Sequence, residues 1–375
     1  MQRRTFLQST VGTALLDAAQ EDAAQGNPAT APGRGIRLGF DTYSLRAFKW
    51  KDIQLLDYAA GLRLDTIQIS SLDDYASLDP AHLQTVKDHA ERVGIKIDGG
   101  TGCICPLSKS WKASQGTPEA YLLNGLKVAK AVGATSMRCF MGTKDDRRGG
   151  QGIEPGIEAC MEATIKVFQA VKAQAQDIGV KIALENHAGD MQAREVKTII
   201  EGSGKDFVGA CLDTGNPLWV VENPIVTMEV LGPYTVTTHV RDCIVFEHPR
   251  GAAGQWAAVG DGILDFRQLL GHYQELCPAA SMQLEIITGR PPEVLPYLEP
   301  DFWKVFQKTP APEFARFVAL AKGGHPFMGT MVVEDAPGKK LPEFTAALRE
   351  QQRLDLERSL EYAKKVLGVG VSWKT

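Results

Sequence analysis

From Ile36 onward, short apolar runs alternate with stretches whose apolar positions recur every three or four residues. Ile36–Thr42 (I-R-L-G-F-D-T), Asp65–Ser70 (D-T-I-Q-I-S), Ile95–Asp98 and Thr135–Phe140 have the length and composition of strands. Between them, Lys51–Gly61, Ala81–Val93 and Pro118–Val132 predict helices closed by Gly61, Gly94 and Gly133, where a left-handed cap suits glycine. Ile157–Ile178 predicts a longer helix ended by Gly179. Four more apolar runs follow at Val180–His187, Phe207–Asp213, Thr235–Val240 and Ser281–Ile287, with helices near Arg194–Glu201, Pro224–Leu231 and Phe266–Leu276 between them. Continuous apolar runs mark strands buried on both faces of a parallel sheet. Eight strand–helix units in one chain predict an α/β fold, a closed (β/α)8 TIM barrel. The alternative, an open doubly wound sheet, usually carries a glycine-rich phosphate turn after its first strand. Here that strand runs into Asp41-Thr42-Tyr43-Ser44 instead.

Outside the regular alternation, three long connections fall on the face where barrel enzymes carry their catalytic loops: Pro106–Thr117, Gly142–Gly156 and Ile244–Ile263. Connections of this length are expected as lids or binding loops. Arg147-Arg148 in the second is expected to be solvated, with contact to an anionic or polyhydroxyl substrate as the alternative. Past Ile287 the pattern loosens into a proline-interrupted loop and short helix over Pro291–Lys304, then helices over Glu313–Lys322 and Pro342–Leu367. The expected organisation is a leader over 1–34, a barrel over 35–305, and a C-terminal helical extension over 306–375 packed on the barrel. In the leader, Arg3-Arg4 before Thr5-Phe6-Leu7 resembles a twin-arginine export signal, which predicts a periplasmic or otherwise exported protein. A disordered tail on a cytoplasmic protein is the alternative.

Composition narrows the partners. The net charge is −4 and no basic tract or basic-aromatic face occurs, which disfavours nucleic acid. No run of 18 apolar residues exists, so no membrane span is expected. The seven cysteines lie mostly inside strand-like runs and helices, the pattern of small buried thiols and not of a disulfide framework. Cys103-Ile104-Cys105 is a close pair with no second pair to complete a metal site. A homo-oligomer is left open.

The candidate chemistry sits at strand ends. Val180–His187 (V-K-I-A-L-E-N-H) stops abruptly at Glu185, Asn186 and His187. The next runs deliver Asp213, His239 and Glu285 in the same way, each a helix and two loops further along. Chemistry in α/β architectures sits past the carboxyl ends of parallel strands. A single carboxylate there is often a helix cap or an ion-pair member. Three carboxylates and one imidazole converging on one mouth suit one divalent cation, such as Mn, Mg, Co or Zn.

Taken together, Glu185-Asn186-His187, Asp213-Thr214-Gly215-Asn216, His239-x-Arg241-Asp242 and Gly260-Asp261-Gly262-x-x-Asp265-Phe266 resemble the xylose isomerase-like barrels, over roughly residues 36–290. That superfamily contains sugar-phosphate isomerases and epimerases, ketose 3-epimerases, hydroxypyruvate isomerases and inosose dehydratases. The resemblance implies a metal site of Glu185, Asp213, His239 and Glu285, a small-molecule carbohydrate substrate, and a metal-stabilised enediolate. Glu185 and Glu285 would be the acid/base pair. His187, Arg241 and Asn216 would contact substrate, with Asp242 contacting it or holding His187 or Arg241. Several ketose epimerases carry a histidine where this chain has Asn216, so their specificity does not carry over. The reaction implied is isomerisation or epimerisation of a hydroxycarbonyl sugar. A lyase or hydrolase on a keto-glycoside, an inosose-type dehydratase and a non-catalytic sugar-binding barrel are the alternatives, with a nuclease a minor one.

Overall fold

The structure, a computed structural model, describes residue 33 and residues 35–148, 156–287, 289–329, 333–335 and 338–374. The expected export signal lies outside the described residues, as does the side chain of Arg148.

Seven strands follow in order: β1 (Leu38–Asp41), β2 (Thr66–Ile69), β3 (Lys96–Cys103), β4 (Ser136–Phe140), β5 (Lys181–Glu185), β6 (Val208–Asp213) and β7 (Thr235–His239). Each pairs in parallel with the next. Two further strands, β8 (Asp242–His248) and β9 (Gly251–Ala257), leave the ring, and β10 (Met282–Leu284) returns to pair with β1. The seam between β7 and β10 closes through Val240 N donating to Gln283 O at 2.7 Å and Glu285 N donating to Val240 O at 3.2 Å. The connecting helices are α1 (Asp52–Gly61), α2 (Pro80–Val93), α3 (Pro118–Ala131), a short α4 (Lys144–Arg148), α5 (Gly156–Ile178), α6 (Ala193–Ser203), α7 (Pro224–Leu231) and α8 (Phe266–Leu276). This is the expected eight-stranded barrel. Gly94, Gly133 and Gly179 take the left-handed conformation at the ends of α2, α3 and α5. After α1 it is Arg63, not Gly61, that turns left-handed.

Leu38, Phe40, Ile67, Phe168, Ile182 and Leu184 are among the side chains of the main core. Inside the barrel lies a polar layer. Gln283 donates to Thr66 Oγ1 at 3.0 Å and to Asp98 Oδ2 at 2.9 Å, and the Thr237 hydroxyl donates to Asp98 at 3.1 Å. These bonds offset much of the cost of burying the layer, while Gln283 Oε1 is left without a hydrogen-bond partner. Gln283 and Thr237 stand two residues before Glu285 and His239 on their strands, so the layer lies directly beneath the strand-end carboxylates. All seven cysteines are buried and free. Among the described residues no helix is long and apolar enough to cross a membrane.

Two features depart from expectation. The connection expected as a loop over Ile244–Ile263 is mostly sheet: β8 and β9 form an antiparallel hairpin, joined on its other edge by β11 (Glu293–Leu295). Its turn, Pro249-Arg250, lacks the Asn-Gly or Asp-Gly signal, and Gly251-Ala252-Ala253-Gly254 hides the alternation of a strand. With α9 (Ala311–Gly323) the hairpin encloses a second core of Leu218, Val245, Leu295, Phe306 and Phe317.

The second departure concerns α10 (Pro342–Lys365). This helix packs on the barrel in the place of the ring's eighth helix. Its Tyr362 meets Phe266 of α8 edge-on at 6.1 Å, and its Glu357 accepts from Tyr58 of α1 at 2.8 Å. Leu356, Leu360 and Ala363 join the main core. Hence the expected boundary at 305/306 separates one helix of the ring from its strand, and the segment between β10 and α10 is an insertion. Truncating Leu360 to Ala should therefore destabilise the barrel by about 2–5 kcal/mol. Urea unfolding of the Leu360→Ala protein tests this, and a loss below about 1 kcal/mol would place α10 outside the cooperative core.

Candidate functional site

Glu185, Asp213 and His239 are the last residues of β5, β6 and β7, and Glu285 follows β10 directly. The parallel register sets Asp213 beside His239. One ligating atom from each of the four lies within 4.8 Å of every other. Exposures are 0%, 0%, 0% and 3%. His239 Nδ1 lies 2.8 Å from Glu285 Oε2, 3.2 Å from Glu185 Oε1 and 3.9 Å from Asp213 Oδ2.

Local sequence aims these groups. Asp213 Oδ1 accepts from Gly215 N and Asn216 N, each at 2.7 Å, an Asx turn that leaves Oδ2 facing the cluster without a hydrogen bond. Asn186 and Asp213 exchange two bonds of 2.9 Å, locking the ends of β5 and β6 together. On the far side of the imidazole, His239 Nε2 lies 2.7 Å from Gln68 Oε1 and 3.4 Å from Asp41 Oδ2. A proton on Nε2 therefore leaves the Nδ1 lone pair directed at the carboxylates. This is the arrangement by which an outer partner fixes a metal-binding tautomer.

Two guanidiniums flank the cluster. Arg241 contacts Glu285, approaches Asp213 Oδ2 to 2.7 Å through Nε, and lies 4.8 Å over the Trp256 ring. Gly215 permits that overlap, because a Cβ there would run into Trp256. Arg138, at 5% exposure, contacts Glu185, donates to Thr101 O at 3.0 Å and lies 4.8 Å over the Phe140 ring. Asn216 Nδ2 donates to Glu185 Oε1 at 3.1 Å.

The electrostatics follow from burial and charge. Burial works against the Glu185 carboxylate, yet Arg138 and His239 outweigh it and hold its pKa well below the ordinary value. Burial pushes the Asp213 carboxyl up to about 6 against the pull of Arg241. Burial also resists charge on His239, but Cys211, Glu185 and Asp41 together raise its pKa well above the ordinary value. His187 is the contrast: burial drops it to about 4, so it is neutral near pH 7. Its Nδ1–H donates to Gly142 O at 2.7 Å and its ring stacks on Phe140 at 3.9 Å. The carboxylate of Asp190 holds both neighbours, accepting from His187 N and Gly142 N at 3.0 Å each.

The donor set fits a divalent cation on charge as well as on type. Asp41, Glu185, Asp213 and Glu285 bring four buried carboxylates, while Arg138 and Arg241 bring two guanidiniums. His239 carries a second ring proton in the ion-free cluster and must give it up to act as a ligand; with the imidazole in that neutral form the deficit is two charges, that of one divalent ion. Three carboxylates and an imidazole suit magnesium, manganese, cobalt or zinc.

Several expectations need correction. Asp242 was expected to contact substrate or to hold His187 or Arg241. Its oxygens instead accept from the amides of Cys243, Gly260, Gly262 and Leu264, anchoring the Gly260-Asp261-Gly262 turn. Arg147, expected in solvent, is 2% exposed. It contacts Glu195, donates to Asp190 O at 2.6 Å and Val305 O at 2.7 Å, and lies over Phe306. Sequence reasoning missed Arg138, Asp41, Gln68 and Trp256. Asp41, ending the first strand, repeats the figure of a carboxylate at a strand end and could have been found by it. The others lie within strands or a hairpin that bore no such signal.

The eight-stranded barrel recurs in known proteins. The chain is 23% identical over 222 residues to the uncharacterized protein YihM of Escherichia coli K12, covering 58% of this chain and 61% of that protein. It thus spans about three-fifths of that relative. It is 21% identical over 247 residues to the 3-oxo-isoapionate decarboxylase of Pectobacterium atrosepticum, covering 62% and 79% of the two chains. A crystal structure of D-psicose 3-epimerase in the presence of D-fructose shares the fold with a TM-score of 0.56 at 15% identity, covering 89% of this chain and 100% of that one. The sequence model of the xylose isomerase-like TIM barrels matches residues 38–293, from the first barrel strand past Glu285 into β11, and the chain belongs to that family.

Proposed function

We propose that this protein is a divalent-metal-dependent isomerase or epimerase that moves a proton on the carbon beside the carbonyl of a hydroxycarbonyl sugar. The observation that carries the reading is the buried cluster of Glu185, Asp213, His239 and Glu285 with its deficit of two positive charges. These four side chains would hold the ion. A divalent cation supplies fixed positive charge that favours negative charge on a carbonyl oxygen.

The chain's own residues account for the rest. Glu285 is the favoured proton acceptor, because both oxygens of Glu185 are already engaged by Arg138 and Asn216. Glu185 is the second proton carrier. Neutral His187, with Nδ1–H committed to Gly142 O, offers Nε2 to a substrate hydroxyl. Arg241 orients an anionic oxygen, with Trp256 as an apolar wall against it and Phe140 as another against Arg138 and His187. The D-psicose 3-epimerase fold supports a carbohydrate substrate. A second reading keeps the proton chemistry and ends in loss of a group, as a lyase. The decarboxylase relative favours it.

Metal analysis of the purified protein, followed by hydrogen–deuterium exchange on a panel of keto- and aldo-sugars, tests the reading. Bound divalent metal with exchange and a new isomer is the expected result. Release of a leaving group or carbon dioxide would move the assignment to the lyase. No metal and no exchange would leave a binding barrel and sink the proposal. A finer check lies behind His239: Gln68→Leu should weaken divalent-metal affinity about 10–100-fold in calorimetric titration while unfolding stays cooperative. Unchanged affinity would mean that Gln68 does not orient the imidazole.

A further inference from the structure

A cavity of about 290 Å³ opens between the segment that follows β1 and the segment that follows β2. Two of its wall residues follow closely on residues that stand behind the metal cluster. Thr42 in its wall follows Asp41 directly, and Ser70 is two residues beyond Gln68, so the wall begins within roughly 7 Å of the groups that touch His239. The Thr42 hydroxyl ties the two segments together, donating to Asp74 Oδ2 at 2.7 Å and accepting from Ser70 N at 2.9 Å.

The lining is charged on one side. Arg46, Lys49 and Lys51 face a single carboxylate, Asp74, which the Thr42 hydroxyl already occupies. Arg46 pairs with Asp335 at 2.7 Å, and Lys51 donates to Asp73 O. Lys49 has no ion-pair partner among the described residues. Its left-handed backbone, φ 56°, caps the 3-10 turns over Thr42–Phe48, its N–H donating to Arg46 O. Trp50, packed on Phe48 and Tyr58, lines the cavity, and Tyr43, 40% exposed with Arg46 over one side of its ring, stands at its rim, giving apolar surface of the sort a sugar ring lies against. The volume is at the small end for ligand sites, room for one sugar unit.

We propose that this cavity is a second subsite that holds an acidic sugar unit, its carboxylate on Lys49 and Arg46, while the neighbouring unit of the same substrate reaches the metal cluster. The inference deepens the carbohydrate reading and rests on it. It assigns the substrate class: an acidic carbohydrate longer than one ring.

Calorimetric titration with D-glucuronate, D-glucose and sodium sulfate, on metal-free and metal-loaded protein, tests it. Glucuronate should bind the metal-free protein at least tenfold more tightly than glucose, and added salt should weaken it. Lys49→Asn, a residue that tolerates positive φ, should weaken glucuronate about tenfold and leave glucose and metal affinity unchanged. Lys49→Glu should weaken it further. Equal affinity for glucuronate and glucose, indifference to both substitutions, or a strict need for metal would each overturn the subsite. Sulfate binding as tightly as glucuronate would overturn the sugar part, leaving a site for a free oxyanion. Charge-selective binding by a protein without metal affinity would sink the metal-dependent function and spare the subsite.

Discussion

Glu285→Gln is expected to lower proton exchange on any accepted sugar by about 10³-fold or more at saturating metal, with little change in the cooperativity of unfolding. General base catalysis contributes on the order of 10²–10⁴-fold, and an amide cannot accept the proton. The same change removes one charge from the cluster, so metal affinity should fall as well, which is why saturation matters. The barrel should persist, because Glu285 sits past the end of β10, whose pairing with β1 runs through Leu38, Gly39 and Phe40. Exchange measured by mass spectrometry, beside metal content and urea unfolding, separates the outcomes. Persistent exchange in a metal-loaded, folded Glu285→Gln protein would remove Glu285 as the base and leave Glu185 to carry that role.

The largest stability effect is expected at Arg138. Its guanidinium, buried among β-strands, holds Glu185 and caps Thr101 O. Arg138→Met fills similar volume and leaves the Glu185 carboxylate one partner short. Stripping one partner from a buried ion pair costs about 3–5 kcal/mol. Metal-free protein should show that loss in urea unfolding. Added divalent metal should restore a large part of it, since a cation at the cluster replaces the missing charge. A loss under about 1 kcal/mol in metal-free protein would mean that His239 and Arg241 already satisfy Glu185. A full loss that metal does not relieve would indicate that Arg138 acts through packing on Phe140 instead.

The fold was legible in the sequence because parallel strands buried on both faces must be continuous apolar runs, and each helix advertises its period and its closing glycine. The four strand-end residues were legible for the same reason: a Glu, Asp or His interrupting an apolar run has a position in the barrel as soon as the run does. Arg138 was not, because a cation in the middle of β4 gains its meaning only from Glu185 on the neighbouring strand. Gln68 was equally silent; nothing local to β2 reveals an imidazole arriving from β7. Asp242 misled because a carboxylate beside Arg241 reads as its partner, whereas the Gly260–Leu264 amides that claim it are distant in sequence. The hairpin after β7 was hidden by its glycines and alanines, and the place of α10 by the insertion before it.

That last helix has a consequence for biosynthesis. β1 opens the barrel, yet its partner β10 begins at Met282, and the helix that joins the core at this seam ends at Lys365. While the ribosome is still making the insertion, β10 can already pair with β1, but Leu356 and Leu360, which share the main core with Phe40 and Leu56, are still missing. Apolar surface left bare in this way invites association with other chains. Translation that stalls before Pro342 therefore yields a closed cylinder with one sticky flank, and whatever shields nascent protein in the cell must cover that flank until the last ring helix has emerged.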